Sequence, residues 1–423
     1  MPTVTLTPFR GSNFYMGFSE QSDPNTPVAP SIFPRCKNGT KVEITLNTEE
    51  VEEMDGSRRT TLLIKNGQMV KIKYTGSLRP NERGYFEKWG HGVSSDTYTG
   101  PTVSTTLAGA TLANATSVTV HSNTGLTGSG TIPLVLEPGT ATEEIPVFAI
   151  PATGGSDPFT LTVDSSYNGG HLKYAHASSG VVKSKASHVL TDQNEGNYFT
   201  VEAGYGILYS AGGTAIRIRA CKVDKFTSTL EHGKIIIDEI EMVGIVSTVQ
   251  GSAATVTLEQ HAPFLFTQGA YTADGSSTGQ ALRKLILERT NNLDSDTQGE
   301  GLNPTCINFA KLDVKLKYSL ILTAFSKIYN TFYGSPTGTT DSQQVGYGSF
   351  NALLTQPDTL NTLQYNILTV GYTNSPWPDP QEDGKHWDID YEGTSVVVPP
   401  SGSGPNNAYK LQTTLTNTQF SSY

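Results

Sequence analysis

The chain has 423 residues, of which 36% are hydrophobic and only 16% charged, and its formal net charge is −10. A polar but weakly charged composition with 42 Gly and 23 Pro favours short strands and turns over long helices. An acidic chain lacks the cations that neutralise phosphates, which argues against nucleic-acid binding and against an anionic membrane surface.

The cysteines and the apolar runs indicate where such a protein is made. Cys36, Cys221 and Cys306 are too few and too scattered for a disulfide framework or a zinc cluster. The first residues lack the basic and apolar segments of a secretion signal, and no apolar run approaches the length of a transmembrane helix. We therefore expect assembly in a cytoplasm, with reduced thiols and no membrane contact.

The first hundred residues predict strands followed by one helix. Apolar and polar residues alternate in Lys41–Glu50, Thr60–Ile64 and Gln68–Tyr74. Pro80–Trp89 predicts a short helix, because Pro is favoured in a first turn and Gly90 suits a helix end.

The composition then changes abruptly, since no Lys or Arg occurs between Lys88 and Lys173. Short apolar alternations within this Thr/Ser/Gly-rich stretch predict strands at Ser117–Val120, Ile132–Leu136, Ile145–Ile150 and Phe159–Val163. We predict a small all-β domain inserted at 98–185. A disordered linker is the alternative, although the regular alternation disfavours it.

After residue 198 the first pattern resumes. Lys234–Ser247 predicts part of a long hairpin, and Phe309–Tyr318 predicts a strand. Apolar residues recur at helical spacing over Leu320–Tyr333, with Ser319 as a possible N-cap and Gly334 as the C-terminal stop.

A segment of the chain occurs twice. Val70–Gly90 aligns without a gap with Val314–Gly334, at a constant shift of 244, and seven of the 21 positions are identical. Ile44 and Ile286 align just upstream, at a shift of 242. The two copies place aromatic or apolar residues on their helices: Tyr85 and Trp89 in the first, and Phe325, Ile328 and Phe332 in the second. Repeated units suit a symmetric ring better than an enzyme.

These patterns predict an all-β fold with few short helices. We expect two β-sandwich or barrel-segment modules in tandem plus the inserted domain. The predicted boundaries are 1–97 for the first module, 98–185 for the insertion and 186–423 for the remainder, with the second module from about 280.

No motif indicates catalysis, a cofactor or a metal. Gly275–Gly279 fits G-x-S-x-G but lies in a polar loop rather than between a strand and a helix. His171 and His176 are five residues apart, which is a poor spacing for metal ligands. Asp388 and Asp390 could be cast as the paired carboxylates of a glycoside hydrolase, but no opposed partner is evident.

Acidic runs are usually solvated faces, but a channel lined by carboxylates would repel DNA and let it slide. Asp238, Glu239 and Glu241 are the candidates for such a lining. Two polar arms are candidates for contacts between subunits or rings. Their residues are Glu49, Glu50, Glu52, Glu53, Asp55, Arg58 and Arg59 in the first arm, and Asp294, Asp296 and Glu300 in the second.

Several of these pieces, in order, resemble the tail tube proteins of long-tailed bacteriophages. The pieces are the strand–acidic segment–strand unit ending at Tyr74, the helix closing at Trp89-Gly90, Ala220–Thr227, Pro263–Phe266, Tyr271–Gly275, Leu285–Asn292 and the closing Leu415-Thr416-Asn417. The resemblance covers roughly 1–97 and 198–420.

The resemblance implies a virion protein that stacks as rings into a tube for double-stranded DNA, without sequence-specific binding. For a duplicated chain it implies trimeric rings with pseudo-sixfold symmetry. The implied partners are the tape measure protein, the tail terminator and the distal tail or baseplate proteins. We expect the insertion on the outer wall, where it leaves the channel open. The alternative is a surface adhesin or surface-layer protein that uses the insertion to bind a receptor or glycan.

Overall fold

The computed structural model describes residues 14–51, 62–126, 130–150, 157–193, 195–205, 214–250, 252–278, 281–294, 306–335, 337–340, 346–374, 387–397 and 408–423. Antiparallel strands dominate these ranges, and the prediction of an all-β fold with few short helices is confirmed. Neither helix in the described ranges is long and apolar enough to span a bilayer.

Two helices lie among the strands: α1 (Pro80–His91) and α2 (Ser326–Tyr333), with a short 3-10 turn at Phe266–Gln268. The strands before the second half of the chain are β1 (Phe14–Gln21), β2 (Lys41–Val51), β3 (Leu62–Gly76), β4 (Thr97–Thr99), β5 (Ser104–Thr106), β6 (Ser117–Val120), β7 (Gly130–Pro133), β8 (Val135–Leu136), β9 (Val147–Ile150), β10 (Phe159–Val163), β11 (Val181–Lys183), β12 (Ala186–Thr191) and β13 (Tyr198–Tyr205). The later strands are β14 (Thr214–Glu231), β15 (Ile237–Gly244), β16 (Val246–Gln250), β17 (Gly269–Ala273), β18 (Ser276–Ser277), β19 (Leu282–Thr290), β20 (Asp313–Ile321), β21 (Tyr347–Thr355), β22 (Thr362–Asn374), β23 (Asp388–Ser395) and β24 (Gln412–Asn417).

The chain forms two compact units. The first comprises Met1–Ser94, Thr191–Ala352 and Asn366–Gln412, and the second comprises Ser95–Leu190, Leu353–Tyr365 and Thr413–Tyr423. The predicted insertion, 98–185, lies within the second unit. Two later segments of the chain also join that unit, which the composition did not indicate.

Eight antiparallel strands of the first unit pair in the order β2–β3–β15–β14–β19–β20–β23–β22. Strand β14 is long enough to serve two sets of partners. Its first part pairs with β13 and β16, and its second part pairs with β15 and β19. Ala220, between the two parts, has a φ of 53°, a left-handed conformation that is uncommon for a residue with a side chain.

An aromatic cluster forms the core of the first unit and explains why α1 is buried. Phe18 of β1 lies 4.7 Å from Phe86, and Trp89 stacks on Phe199 of β13 at 4.3 Å between ring centroids. Burying aromatic side chains of this size contributes more to stability than the weak helix propensity of this Gly-containing segment. The helix continues through Gly90 and ends at Gly92, whose φ is 63°, so the predicted end at Gly90 is wrong.

The second helix is shorter than predicted. Ser319 and Leu320 lie in β20, and α2 begins only at Ser326, so the predicted N-cap at Ser319 is wrong. The strand ladder with β19 and β23 holds those residues in an extended conformation although their spacing also fits a helix. Gly334 ends the helix with a φ of 66°, as predicted.

The second unit contains a four-stranded sheet, β6–β10–β9–β7, and a three-stranded sheet, β5–β11–β8. Its core contains the apolar residues that alternate along the sequence, among them Val118, Leu134, Phe148, Phe159 and Leu161. An alternation of buried and exposed residues is the pattern of strands that cover a core on one face.

Candidate assembly surface of the first unit

Strands β3 and β20 bury equivalent residues. Val70, Ile72 and Tyr74 are buried in β3, and Val314 and Leu316 in β20 are buried at the aligned positions. Tyr318 completes the match, and the lysines between these residues point to the other face. Each strand leads into a helix, so the repeated sequence adopts a repeated strand–helix arrangement.

The neighbouring strands match as well. Strand β15 pairs with β3, and β23 pairs with β20, both antiparallel. The next strand beyond β15 is β14, which has a β-bulge between Val223 and Lys225. The next strand beyond β23 is β22, which has a bulge between Tyr372 and Asn374, at the same place in the ladder. A bulge is a specific feature of a strand pair, so this match supports the repeat independently of sequence identity.

The register corrects one alignment. Val42 lies opposite Ile72 in the first hairpin, whereas Leu287 lies opposite Leu316 in the second. Val42 is therefore the structural counterpart of Leu287, and the predicted correspondence of Ile44 with Ile286 is wrong by three residues. A shift by an odd number of residues also exchanges the two faces of a strand. The alignment at a shift of 242 rested on only four positions with similar residue types, which were too few to exclude such an error.

Lysines and glutamates face each other across the exposed side of the eight strands. Glu239 and Glu241 are exposed there, and their role in lining a channel stays a prediction. Cross-strand ion pairs join Lys73 to Glu239 at 2.9 Å, Lys225 to Glu288 at 2.8 Å and Lys317 to Glu392 at 2.6 Å. The described strands thus present balanced charges rather than the acidic wall expected from the sequence.

Asp238 is buried, so its prediction as a channel-lining residue is wrong. Its carboxylate lies 2.5 Å from the guanidinium of Arg83 and accepts a hydrogen bond from Ser228 at 2.8 Å. Glu87 extends this network, binding Arg83 at 3.2 Å and Arg289 at 2.6 Å. Asp238 lies on the same face of β15 as Ile240 and Met242, which follow it at intervals of two residues, and that period of two was the available signal that it faces the core.

In the second repeat the position aligned with Arg83 is Lys327. Its ammonium lies 2.8 Å from Asp274 and 5.0 Å from the ring centre of Tyr318, and Tyr372 and Tyr391 are each 5.5 Å away. Burial lowers the pKa of Lys327, and the carboxylate of Asp274 opposes that effect. The sequence did not predict the ion pair between Lys327 and Asp274, because Asp274 lies in a turn far from α2 along the chain.

The predicted helix residues differ in burial between the repeats. Trp89 is 1% exposed and Tyr85 is half-buried. In α2 only Ile328 is buried, whereas Phe325 is half-buried and Phe332 is 39% exposed.

The described part of the first arm is a projection of the β2–β3 hairpin. Glu49 and Glu50 are exposed in β2, opposite Ile64 and Leu63. Apolar residues are exposed here too, which makes the arm less polar than predicted: Ile44 (43%), Leu46 (52%), Leu63 (59%) and Ile64 (46%). The predicted residues Glu52, Glu53, Asp55, Arg58 and Arg59 lie outside the described residues.

In the second arm Asp294 is exposed and its backbone bonds with Asn308. The predicted Asp296 and Glu300 lie outside the described residues.

The weaker chemical motifs form no reaction centre in the described ranges. Ser277 is exposed in the short strand β18. His171 is exposed, whereas His176 is buried between Glu144 at 2.6 Å and Glu137 at 3.1 Å. Burial alone would lower the pKa of His176, but the hydrogen bonds to both carboxylates outweigh it and raise the pKa. No group of three or more His, Cys, Asp or Glu in the described residues could hold a metal.

No protein-family model matches the chain, and no curated protein sequence matches it significantly.

Proposed function

We propose that the protein is a virion structural protein that polymerises as stacked rings into a phage tail tube. A repeated set of four strands carries the proposal. The first set is β2, β3, β15 and β14, the second set is β19, β20, β23 and β22, and β14 and β22 have matching bulges. Two equivalent sets lie side by side in one chain, as two adjacent wall segments of a ring would. With three chains a ring would contain six such segments, which is the basis for pseudo-sixfold symmetry.

Contact between the two sets within the chain suggests how copies join. The second part of β14 closes the first set and pairs with β19, the first strand of the second set. By the same rule, the end of β22 closes the second set and would pair with β2 of another copy. Strand β2 stands at one end of the eight-strand order, and its residues from Glu43 to Glu50 are exposed. An exposed edge strand is a template for adding another strand.

The repeat also gives the register of that contact. Lys225, just past the bulge of β14, lies opposite Thr290 of β19. Asn374 is just past the bulge of β22, and Thr45 is the counterpart of Thr290 in β2. We therefore expect Asn374 of one copy opposite Thr45 of the next, and both side chains are exposed in the described chain.

The charged face suits the inner wall of such a tube. Lysine is a strongly hydrated point charge, and here glutamates face it across the strands. A balanced, hydrated wall would neither attract nor trap the phosphate backbone. DNA passage without sequence-specific binding, the tape measure, terminator and baseplate partners, and an outward position for the insertion all belong to this proposal.

Electron microscopy of the purified full chain tests the assembly. Rings or striated hollow tubes, with six density lobes per ring, are expected. A persistent monomer by light scattering over a range of concentrations and salt would overturn the proposal. A monomer that binds immobilised glycans would favour an adhesin instead.

Cysteine cross-linking tests the register. The double variant Thr45→Cys/Asn374→Cys should form disulfide-linked chains under mild oxidation, since residues opposite each other in antiparallel strands have Cβ atoms roughly 5 Å apart. Leu46→Cys/Asn374→Cys is the matched control, because the neighbouring side chain points to the other face. Each single variant controls for the native thiols. Equal cross-linking of both double variants would contradict the register.

A further inference from the structure

Three polar side chains meet beside the aromatic cluster of the first unit. The Lys88 ammonium lies 2.7 Å from Oε1 of Glu20, and the side-chain amide of Asn197 donates to the same oxygen at 2.6 Å. The side chain of Lys88 is 2% exposed and that of Glu20 is 30% exposed. One carboxylate oxygen therefore touches both an amine nitrogen and an amide nitrogen.

Neighbouring structure fixes each member of the triad. Lys88 precedes Trp89 on the buried helix, and Glu20 lies opposite Phe199 in the ladder between β1 and β13. Trp89 and Phe199, the neighbours of Lys88 in the chain and of Glu20 in the ladder, stack on each other.

A second hydrogen bond orients the amide. The Asn197 amide nitrogen also donates to the carbonyl of Ser94, at 3.3 Å. This bond and the bond to Glu20 both hold the amide nitrogen. The shared oxygen of Glu20 brings the amide, whose electrophilic atom is Cγ, beside the nucleophilic lysine. A positioned nucleophile and electrophile gain a large effective concentration.

We propose that Lys88 and Asn197 form a spontaneous intramolecular isopeptide bond, with Glu20 as general acid and base. Glu20 takes one proton from the ammonium, and the neutral Nζ then attacks Cγ of the amide. The Nζ–Cγ bond forms, and the Cγ–Nδ2 bond breaks as Glu20 passes that proton to the departing nitrogen. The carboxylate of Glu20 then takes the second proton that Nζ must lose to become an amide nitrogen and hands it to the ammonia, which leaves as ammonium through the exposed side of Glu20. No oxidant or cofactor is involved, because the step is an amide exchange.

The product removes a charge whose burial is costly. An ammonium with almost no solvent exposure needs its carboxylate to offset lost hydration. Conversion to an amide replaces that ion by a neutral group, and loss of ammonia to bulk water makes the step effectively irreversible.

The bond would join two distant points of the sequence. Lys88 lies just before the chain leaves the first unit at Ser94, and Asn197 lies just after it returns at Thr191. The bond would thus close a covalent ring that contains the whole inserted segment. Closing a long loop restricts the unfolded chain, as a disulfide does, and stabilises the folded state.

Mass spectrometry of the intact, purified full chain is the first test. We expect a mass lower than the sequence mass by one ammonia, and a branched peptide that joins the fragments containing Lys88 and Asn197. The full sequence mass in folded protein would overturn the proposal.

Two variants separate this bond from cyclisation of the asparagine alone, which also releases ammonia. Lys88→Arg keeps a cation for Glu20 but removes the nucleophile, so its mass should match its sequence. Glu20→Gln keeps the shape of the side chain and removes the proton acceptor, so it should also retain the ammonia. Loss of ammonia that persists in Lys88→Arg would contradict the isopeptide bond. Circular dichroism identifies a variant that fails to fold, and the branched peptide from the wild-type chain then decides.

Discussion

The two repeats, β3–α1 and β20–α2, begin with almost the same strand but bury their helices differently. In the first, Arg83 lies in a closed network with Asp238 and Glu87, under a core of aromatic rings. In the second, Lys327 lies over tyrosine rings and α2 buries only Ile328. The two repeats share the strand that pairs within the sheet, whereas the helices that pack on it and their contacts differ. The ladder therefore constrains the sequence more tightly than the helix does.

The largest difference should appear where the first repeat has Asp238 and the second repeat has Ile389, one buried ion against one buried hydrocarbon. Asp238→Ala leaves Arg83 buried without its closest carboxylate, which costs about 3–5 kcal/mol. The conservative Ile389→Val should cost only about 0.5–1.5 kcal/mol. Urea unfolding of both variants measures the loss in the free energy of unfolding. Equal losses would mean that the buried network contributes no more than ordinary packing.

A pH dependence of stability should arise at Glu82 in the first repeat. Burial, and then the charge of Glu259, raise the pKa of Glu82 to about 8, whereas Ser326 occupies the aligned position in α2. The folded state holds this proton while the unfolded state has released it, so stability falls as pH rises from about 4.5 to about 8. Glu82→Gln should reduce that fall in melting temperature. An unchanged pH profile would contradict the raised pKa.

The smallest effects should come from the aligned lysines of the two repeats, each of which makes a cross-strand ion pair at the surface. Lys73→Met and Lys317→Met each remove a cross-strand pair at the surface. Such pairs contribute about 0–1 kcal/mol and are screened by salt. Chemical unfolding at low and high salt should show small and similar losses. A large loss in only one variant would show that the two faces are not equivalent.

The sequence predicted the shared part of the molecule well. The alternation around Val70 and Val314 gave the strand, and Gly334 gave the end of α2. The register of β2 was beyond reach, because a few similar residues fit two alignments that differ by three positions. Tertiary pairing also held Ser319 in a strand although the local pattern favoured a helix.

The buried ions show a different limit. Acidic runs suggested a solvated face, and Glu239 and Glu241 lie on one. Asp238 belongs to the same run, but its face follows from the period of two and not from its charge. The Lys327 site could not be anticipated, since it needs Asp274 from another turn. A sequence pattern gives the face of a residue more reliably than its long-range partner.

The pairing of β1 with β13 has a consequence for biosynthesis. Phe14 lies opposite Tyr205 and Gln21 opposite Tyr198, so the inserted segment separates the two strands along the chain. At ordinary ribosomal speeds the partner emerges roughly 10 to 40 seconds after β1. During that interval the apolar residues Met16 and Phe18, which are fully buried in the finished protein, lack the cover that β13 supplies. Nascent chains should therefore depend on a holdase chaperone, or on a low growth temperature, until the insertion and β13 have been synthesised.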